Sequence, residues 1–237
     1  MRLVSAVGVL AVAATLAVYY AADALYRRSG RHPLLHPVLL SIAALAALLE
    51  AAHLPYPRYM DGARLIAFFL GPATVALAIP IYRNLSAIGG SLPAVIGALV
   101  VGSTTAMVSA VGIAWALGAP PLIVRSLAAK SVTTPIAMAV SGEIGGAPAL
   151  TAVFAILTGI AGAIAVAWIF PRGDRVDWRA RGFSTGLASH AIGTAHAFTL
   201  DETAGAFSGL AMGLNALFTA LVLPLAAALL PHSLRGH

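Results

Sequence analysis

From Leu3 to about Leu25 the chain is almost wholly apolar, and stretches of this kind recur to its end. About 20 such residues are enough to cross the hydrocarbon of a bilayer. The later segments are about Leu34–Ala52, Ala63–Leu85, Leu92–Leu117, Leu122–Val140, Ala149–Phe170, Phe183–Phe198 and Thr203–Leu230. Of the 237 residues, 60% are hydrophobic and 9% charged, whereas soluble domains carry about a quarter charged. The reading is an all-α polytopic membrane protein with about 7–8 transmembrane segments, forming one membrane domain in a lipid bilayer. The net charge of +6 does not point to nucleic acid, because the arginines sit in short loops and no basic run is interleaved with aromatics. No cysteine is present, which excludes disulfides, thiolate chemistry and cysteine metal sites. Residues 3–22 are read as the first span rather than a cleaved leader, since the run is long and no clear cleavage site precedes Arg27.

Loop arginines set an orientation. Arg27, Arg28 and Arg31 follow the first span, and Arg172, Arg175, Arg179 and Arg181 lie with Asp174 and Asp177 between Pro171 and Gly182. Arginines beside span ends favour the cytoplasmic side. If both loops are cytoplasmic, an even number of crossings separates them, yet five segments lie between. One segment should therefore fail to cross. The best candidate is the fifth, which is polar and broken by a proline; the Gly71-Pro72 segment is second.

That fifth segment holds Lys130, the only lysine, with Ser131, Thr133, Thr134, Pro135, Ser141 and Glu143. A proline removes a backbone donor and clashes with the preceding turn. In hydrocarbon a broken backbone is tolerated only where it is buried in protein or lines a wet cavity. An ionisable residue at membrane depth is functional by default, so Lys130 is read as an anion contact rather than a snorkelling side chain. The Thr133-Thr134-Pro135 string is compatible with a plain kink and with a binding site. Gly71, Pro72 and Pro135 are the expected helix breaks. The two halves, about 1–118 and 119–237, echo each other: Phe69-Leu-Gly-Pro-Ala-Thr74 and Ser189-His-Ala-Ile-Gly-Thr194 each precede a long helix rich in small residues. Interrupted segments at matching places point to a transporter site and suggest an inverted repeat.

Glu143 is read either as a solvated acid or as a partner of Lys130 or proton carrier. His190 and His196 lie six apart, whereas a zinc pair prefers closer helical spacing; each is a hydrogen-bonded histidine or a ligand or proton group. Arg83, Glu50 and His53 read as interfacial, and Asn215 as a bond to a neighbouring helix. Thr199-Leu-Asp-Glu202 has capping-box spacing. Gly97 and Gly102, with Gly159 and Gly162, suggest close helix packing and a homodimer. Nothing resembles a nucleophile with its base, a phosphate loop or a dinucleotide fingerprint, so no enzyme, metal or cofactor is expected.

Several strings resemble the LrgB/CidB/YohK membrane family: Phe69–Arg83, Ala129-Lys-Ser-Val-Thr-Thr-Pro-Ile-Ala-Met138, Ile144-Gly-Gly146, Thr151–Gly159 and Ser189–Thr194. The likeness covers roughly residues 34–225. Relatives often have an acid at the place of Gly142, where here the acid is Glu143, and Arg where His196 stands. The resemblance implies two functions. One is an antiholin- or holin-like regulator of murein hydrolase export and cell lysis. The other, which the interrupted polar segments also favour and which is the main reading of the sequence with the regulator as its alternative, is a carrier of small monocarboxylates such as pyruvate, glycolate, glycerate or lactate. It also implies a smaller LrgA/CidA-type membrane partner and the bacterial inner membrane. In the carrier reading Lys130, Ser131, Thr133 and Thr134 hold the carboxylate, Ser189, His190 and Thr194 approach from the second half, and Glu143 or His196 couples a proton or ion.

Overall fold

The computed structural model describes residues 6–30, 35, 37–76, 78–170 and 177–229. Among them every regular element is a helix. By its internal contacts the chain divides into two compact units, residues 1–78 and 79–237. This is a division by packing, and it does not address the relatedness of the halves expected from sequence.

The first unit holds α1 (Ala6–Arg28), α2 (Pro37–Ala51) and α3 (Tyr56–Ala76). The last helix packs on α1, where the Thr15 hydroxyl donates to the Ala11 carbonyl and accepts from the Tyr59 hydroxyl at 2.7 Å. An apolar groove of about 380 Å³ lies between these helices, with Arg58 on its wall. The sequence led us to expect a break at Gly71-Pro72, and the structure corrects this. The α3 helix runs through both residues to Ala76, and the next helix, α4 (Ala78–Arg83), starts beyond them. A helix in lipid tolerates an internal proline when the freed carbonyl is satisfied locally. Arg31, Arg172, Arg175 and Asp174 lie outside the described residues.

The second unit continues with α5 (Leu85–Gly89), α6 (Leu92–Ala116), α7 (Pro121–Ala128), α8 (Thr134–Glu143), α9 (Pro148–Ile169), α10 (Trp178–Phe198) and α11 (Glu202–Leu229). Prolines mark four of these starts. Pro93, Pro121, Pro135 and Pro148 stand in the first turns of α6 to α9, where the missing N–H has no intrahelical acceptor to lose. Aspartates cap the last two helices. The Asp177 carboxylate accepts from the Arg179 N–H at 2.9 Å, and that bond holds its carboxyl below the usual range. Asp201 accepts from the N–H groups of Thr203 and Ala204 at 2.8 and 3.1 Å. The cap is therefore Asp201, and not Thr199 as the capping-box spacing suggested; the Thr199 hydroxyl turns back to the His196 carbonyl. Arg179 and Arg181, read as loop residues, belong to α10, and Arg181 is buried over the Trp178 ring at 5.2 Å.

The α10 and α11 backbones lie unusually close. A Cβ on Gly182 would run into the Ala204 backbone and one on Gly186 into that of Ser208, so two residues four apart on each helix face each other. The glycines expected to give close helix packing and a homodimer mostly pack helices within the chain. Leu187 fills the space at Gly102, and α10 fills it at Gly159 and Gly162. Only Gly97 of these four faces open space.

Among the described residues four helices are long and apolar enough to cross a membrane: Gly8–Arg28 within α1, then α6, α9 and α11; α2 is apolar but shorter. At 1.5 Å per residue α7 and α8 rise about 12 and about 15 Å, well short of a hydrocarbon core of about 30 Å. The described residues thus form an all-helical, multi-pass membrane protein in which α7 and α8 are two short helices in sequence.

Candidate functional site

Lys130 lies in the gap between those two short helices. The first ends at Ala128, and the second starts at Thr134 with Thr133 at its N-cap. Pro135 occupies the second position of α8; the backbone is interrupted on its N-terminal side, over residues 129–133. The gap is not left in lipid. Ala129 and Val132 are fully buried, and they pack with Ala137, Val140 and Ala155 into one apolar cluster. Buried irregular backbone is the form that hydrocarbon permits.

Burial creates a hydrogen-bonding debt at Ser131. In a continuous helix its carbonyl would accept from the N–H of residue 135, and Pro135 has none. Asn215 on α11 supplies the donor, its Nδ2 lying 2.8 Å from the Ser131 carbonyl. The same Nδ2 reaches the Leu187 carbonyl on α10 at 3.4 Å. Its Oδ1 accepts from Ser103 on α6 at 2.7 Å and from Thr219 at 3.4 Å. The sequence indicated an interhelical role for Asn215; the structure adds that it serves three neighbours at once.

The second interruption is in α10. His190 has φ 39 and ψ −128, a conformation that divides the helix at that residue. These angles resemble the first central position of a type II′ turn, where glycine is preferred. A non-glycine residue held there stores strain of order 1–3 kcal/mol. The imidazole is fixed by Nε2 donating to the Ala155 carbonyl at 2.8 Å. It occupies a notch in α9, since a Cβ on Gly159 would stand 2.6 Å from the imidazole Cε1.

The two interruptions share neighbours. Both reach Ala155. Lys130 is half-buried, with Nζ 3.5 Å from the Ser131 hydroxyl. Ser189 is fully buried, and its hydroxyl makes no hydrogen bond. Thr194 instead spends its hydroxyl on the His190 carbonyl at 2.8 Å and on Ser208 at 2.9 Å. Thr133 and Thr134 are half-buried at the start of α8. Glu143 is exposed at the far end of α8, and among the described residues no ion pair joins it to Lys130. His196 is half-buried in the last turn of α10. Gly71 and Pro72 belong to the other compact unit. Among the described residues no cluster of three or more histidine or acidic side chains is placed to hold a metal ion.

The α10 kink has no proline, and it falls at His190, inside the polar Ser-His-Ala-Ile-Gly-Thr string read from the sequence as an interrupted segment. Gly159 was read as part of a close helix-packing face, and the structure shows what it admits, the His190 imidazole of α10. Together the residues make a buried, polar discontinuity with one cation at its edge. Such a place can hold or pass a small polar solute, or give two helix halves freedom to move.

Known proteins resemble the chain along nearly its full length. The model of the LrgB-like family matches residues 15–229. YwbG of Bacillus subtilis is 38% identical over 219 residues, covering 92% of this chain and 96% of that protein. The holin-like protein CidB of Staphylococcus epidermidis is 31% identical over 91% of this chain and 94% of its own length. The antiholin-like protein LrgB of Bacillus mycoides is 29% identical over 90% of this chain and 93% of its own. No solved structure matches. With a family match across both compact units and relatives of equal span, the chain belongs to the LrgB-like family.

Proposed function

We propose that the chain acts in the bacterial inner membrane as a holin- or antiholin-like regulator of murein hydrolase export and cell lysis. The observation that carries this reading is the description of its relatives, one called holin-like and another antiholin-like, each matched over about nine-tenths of the chain. An LrgA/CidA-type membrane protein is the proposed partner. A homodimer is proposed through the open face of α6, where Gly97 lies beside exposed Ile96, Val100 and Val101. About 7–8 crossings, with α7 and α8 as a re-entrant or broken element, complete the proposal. The chain is not an enzyme in this reading. The test is to express it in a bacterium lacking its own copy and to measure exported murein hydrolase activity and autolysis. A changed rate of either is expected, and no change in both refutes the reading.

A second reading is favoured by one specific feature, the half-buried Lys130 in an interrupted, hydroxyl-rich stretch. Here the chain facilitates passage of a small monocarboxylate such as pyruvate, glycolate, glycerate or lactate. Lys130, Ser131, Thr133 and Thr134 hold the carboxylate, Ser189 offers its unpaired hydroxyl, and Glu143 or His196 couples a proton or ion. Losing the cation opposite a bound carboxylate costs about 2–5 kcal/mol, or roughly thirtyfold or more in affinity. Uptake of labelled monocarboxylate into liposomes should then collapse on Lys130→Ala, whereas a lysis regulator tolerates that change.

A further inference from the structure

We propose that Asn215 is a positioning residue that joins the two helix interruptions, so that neither rearranges without the other. The proposal concerns the helix breaks themselves and stands apart from both functional readings. Each interruption presents a backbone carbonyl to the same Asn215 amide. At Ser131 the helical donor is missing, because Pro135 has no N–H to offer. Leu187 lies one turn before the kink at His190, and its carbonyl also accepts from Asn215, at 3.4 Å. One primary amide has two N–H groups and one oxygen with two lone pairs. Asn215 uses them all, with both carbonyls on its nitrogen and Ser103 and Thr219 on its oxygen. At 2% exposure it has no water to fall back on. If one interruption moves away, an N–H of Asn215 and a carbonyl are left unpaired in a buried setting, which is the expensive outcome for buried polar groups. The cheaper rearrangement carries both interruptions together. A serine or threonine offers one donor and cannot serve two carbonyls. Asn215 therefore stands where a two-donor side chain is required.

The geometry gives a way to push on one interruption and read the other. Gly159→Ala drives a Cβ into the His190 imidazole and perturbs only the α10 side directly, since the nearest atoms all belong to His190 and Ile192. The reporter is Thr133→Cys at the α7–α8 interruption, read by its rate of reaction with N-ethylmaleimide. The chain has no cysteine of its own, so the background is silent. Thr133 makes no side-chain cap bond that the reporter would remove. With Asn215 in place, Gly159→Ala should change the labelling rate by a factor of about five or more, equivalent to about 1 kcal/mol of coupling. With Asn215→Leu the same change should have no effect on the rate. Ser103→Ala leaves both Nδ2 bonds intact, so there the effect should survive.

An equal shift with and without Asn215, no shift in either background, or loss of the shift in Ser103→Ala would overturn the proposal. If Asn215→Leu does not insert, Asn215→Asp keeps the volume and the oxygen acceptors while removing the paired donors, and the shift should again vanish. Hydrogen exchange needs no Asn215 variant at all. Gly159→Ala should speed exchange around residues 130–133 together with that around 190–192. Acceleration confined to α10 would contradict the joint.

Discussion

The two interruptions of the second unit solve the same problem by different means. Between α7 and α8 the gap spans residues 129–133, a proline precludes the missing bond, and an asparagine from another helix replaces it. In α10 the gap is a single residue, no proline is involved, and the deviation is held by an imidazole seated in a glycine notch. The first is dictated locally and repaired from a distance. The second is imposed from a distance, because His190 has a strained backbone that only its neighbours can maintain. A helix in lipid can thus be broken by what its own sequence forbids or by what a neighbouring helix pulls out of it.

Four changes should break or sharpen this contrast. The largest effect is expected from filling the notch. Gly159→Ala should cost about 1–3 kcal/mol, as overpacking of a closed site does, read as a loss of thermal stability in detergent. Gly142→Ala in α8 should be nearly neutral by the same assay, since its nearest contact, Pro148, lies at an ordinary 3.6 Å. Next come paired substitutions at the kink. His190→Gly should be more stable than His190→Ala by about 1 kcal/mol, because only glycine adopts the positive φ without strain. The order should reverse at Thr133, whose φ of −59 needs no glycine.

Ser103→Ala removes one hydroxyl from Asn215 and should cost about 1 kcal/mol, the usual net worth of such a bond, seen as a shift of the unfolding midpoint. The smallest effect concerns pH. The Asp177 cap on α10 has a depressed pKa, so its stabilisation is present above the ordinary value of 3.8 and is lost as pH falls through the lower folded value. The caps of α7 and α8, Pro120 and Thr133, carry no side-chain cap bond. Acid should therefore loosen the start of α10 and leave those two starts alone, as amide exchange near residues 178–182 would reveal.

These contrasts also explain what was legible in the sequence. The break at Lys130 was readable because Pro135 removes a donor whatever the fold, although proline stands inside the new helix and the gap precedes it. The same logic failed at Gly71-Pro72, since α3 continues through both residues. A proline states which bond is absent; whether the chain parts there depends on neighbours that lie far away in sequence. Asn215 was readable as a buried amide inside an apolar helix, but its targets, Ser131 and Leu187, are 84 and 28 residues away. The kink at His190 was marked only by the polar Ser189–Thr194 string, and the groups that hold it, the Ala155 carbonyl and the bare Gly159, lie about thirty residues away in sequence. Gly182 and Gly186, four apart with Ala204 and Ser208 at the matching interval, were not singled out from the sequence, because nothing local shows which helix they meet.

Lys130 separates the proposed regulation of murein hydrolase export and lysis from the carrier reading. The measurement is murein hydrolase activity released by cells that lack their own copy and express either this chain or its Lys130→Ala variant. The account predicts that the chain changes the release and that the variant, inserted at equal level, does so to the same extent. Release unchanged by the chain would contradict it, and so would an effect abolished by Lys130→Ala together with loss of monocarboxylate uptake in liposomes.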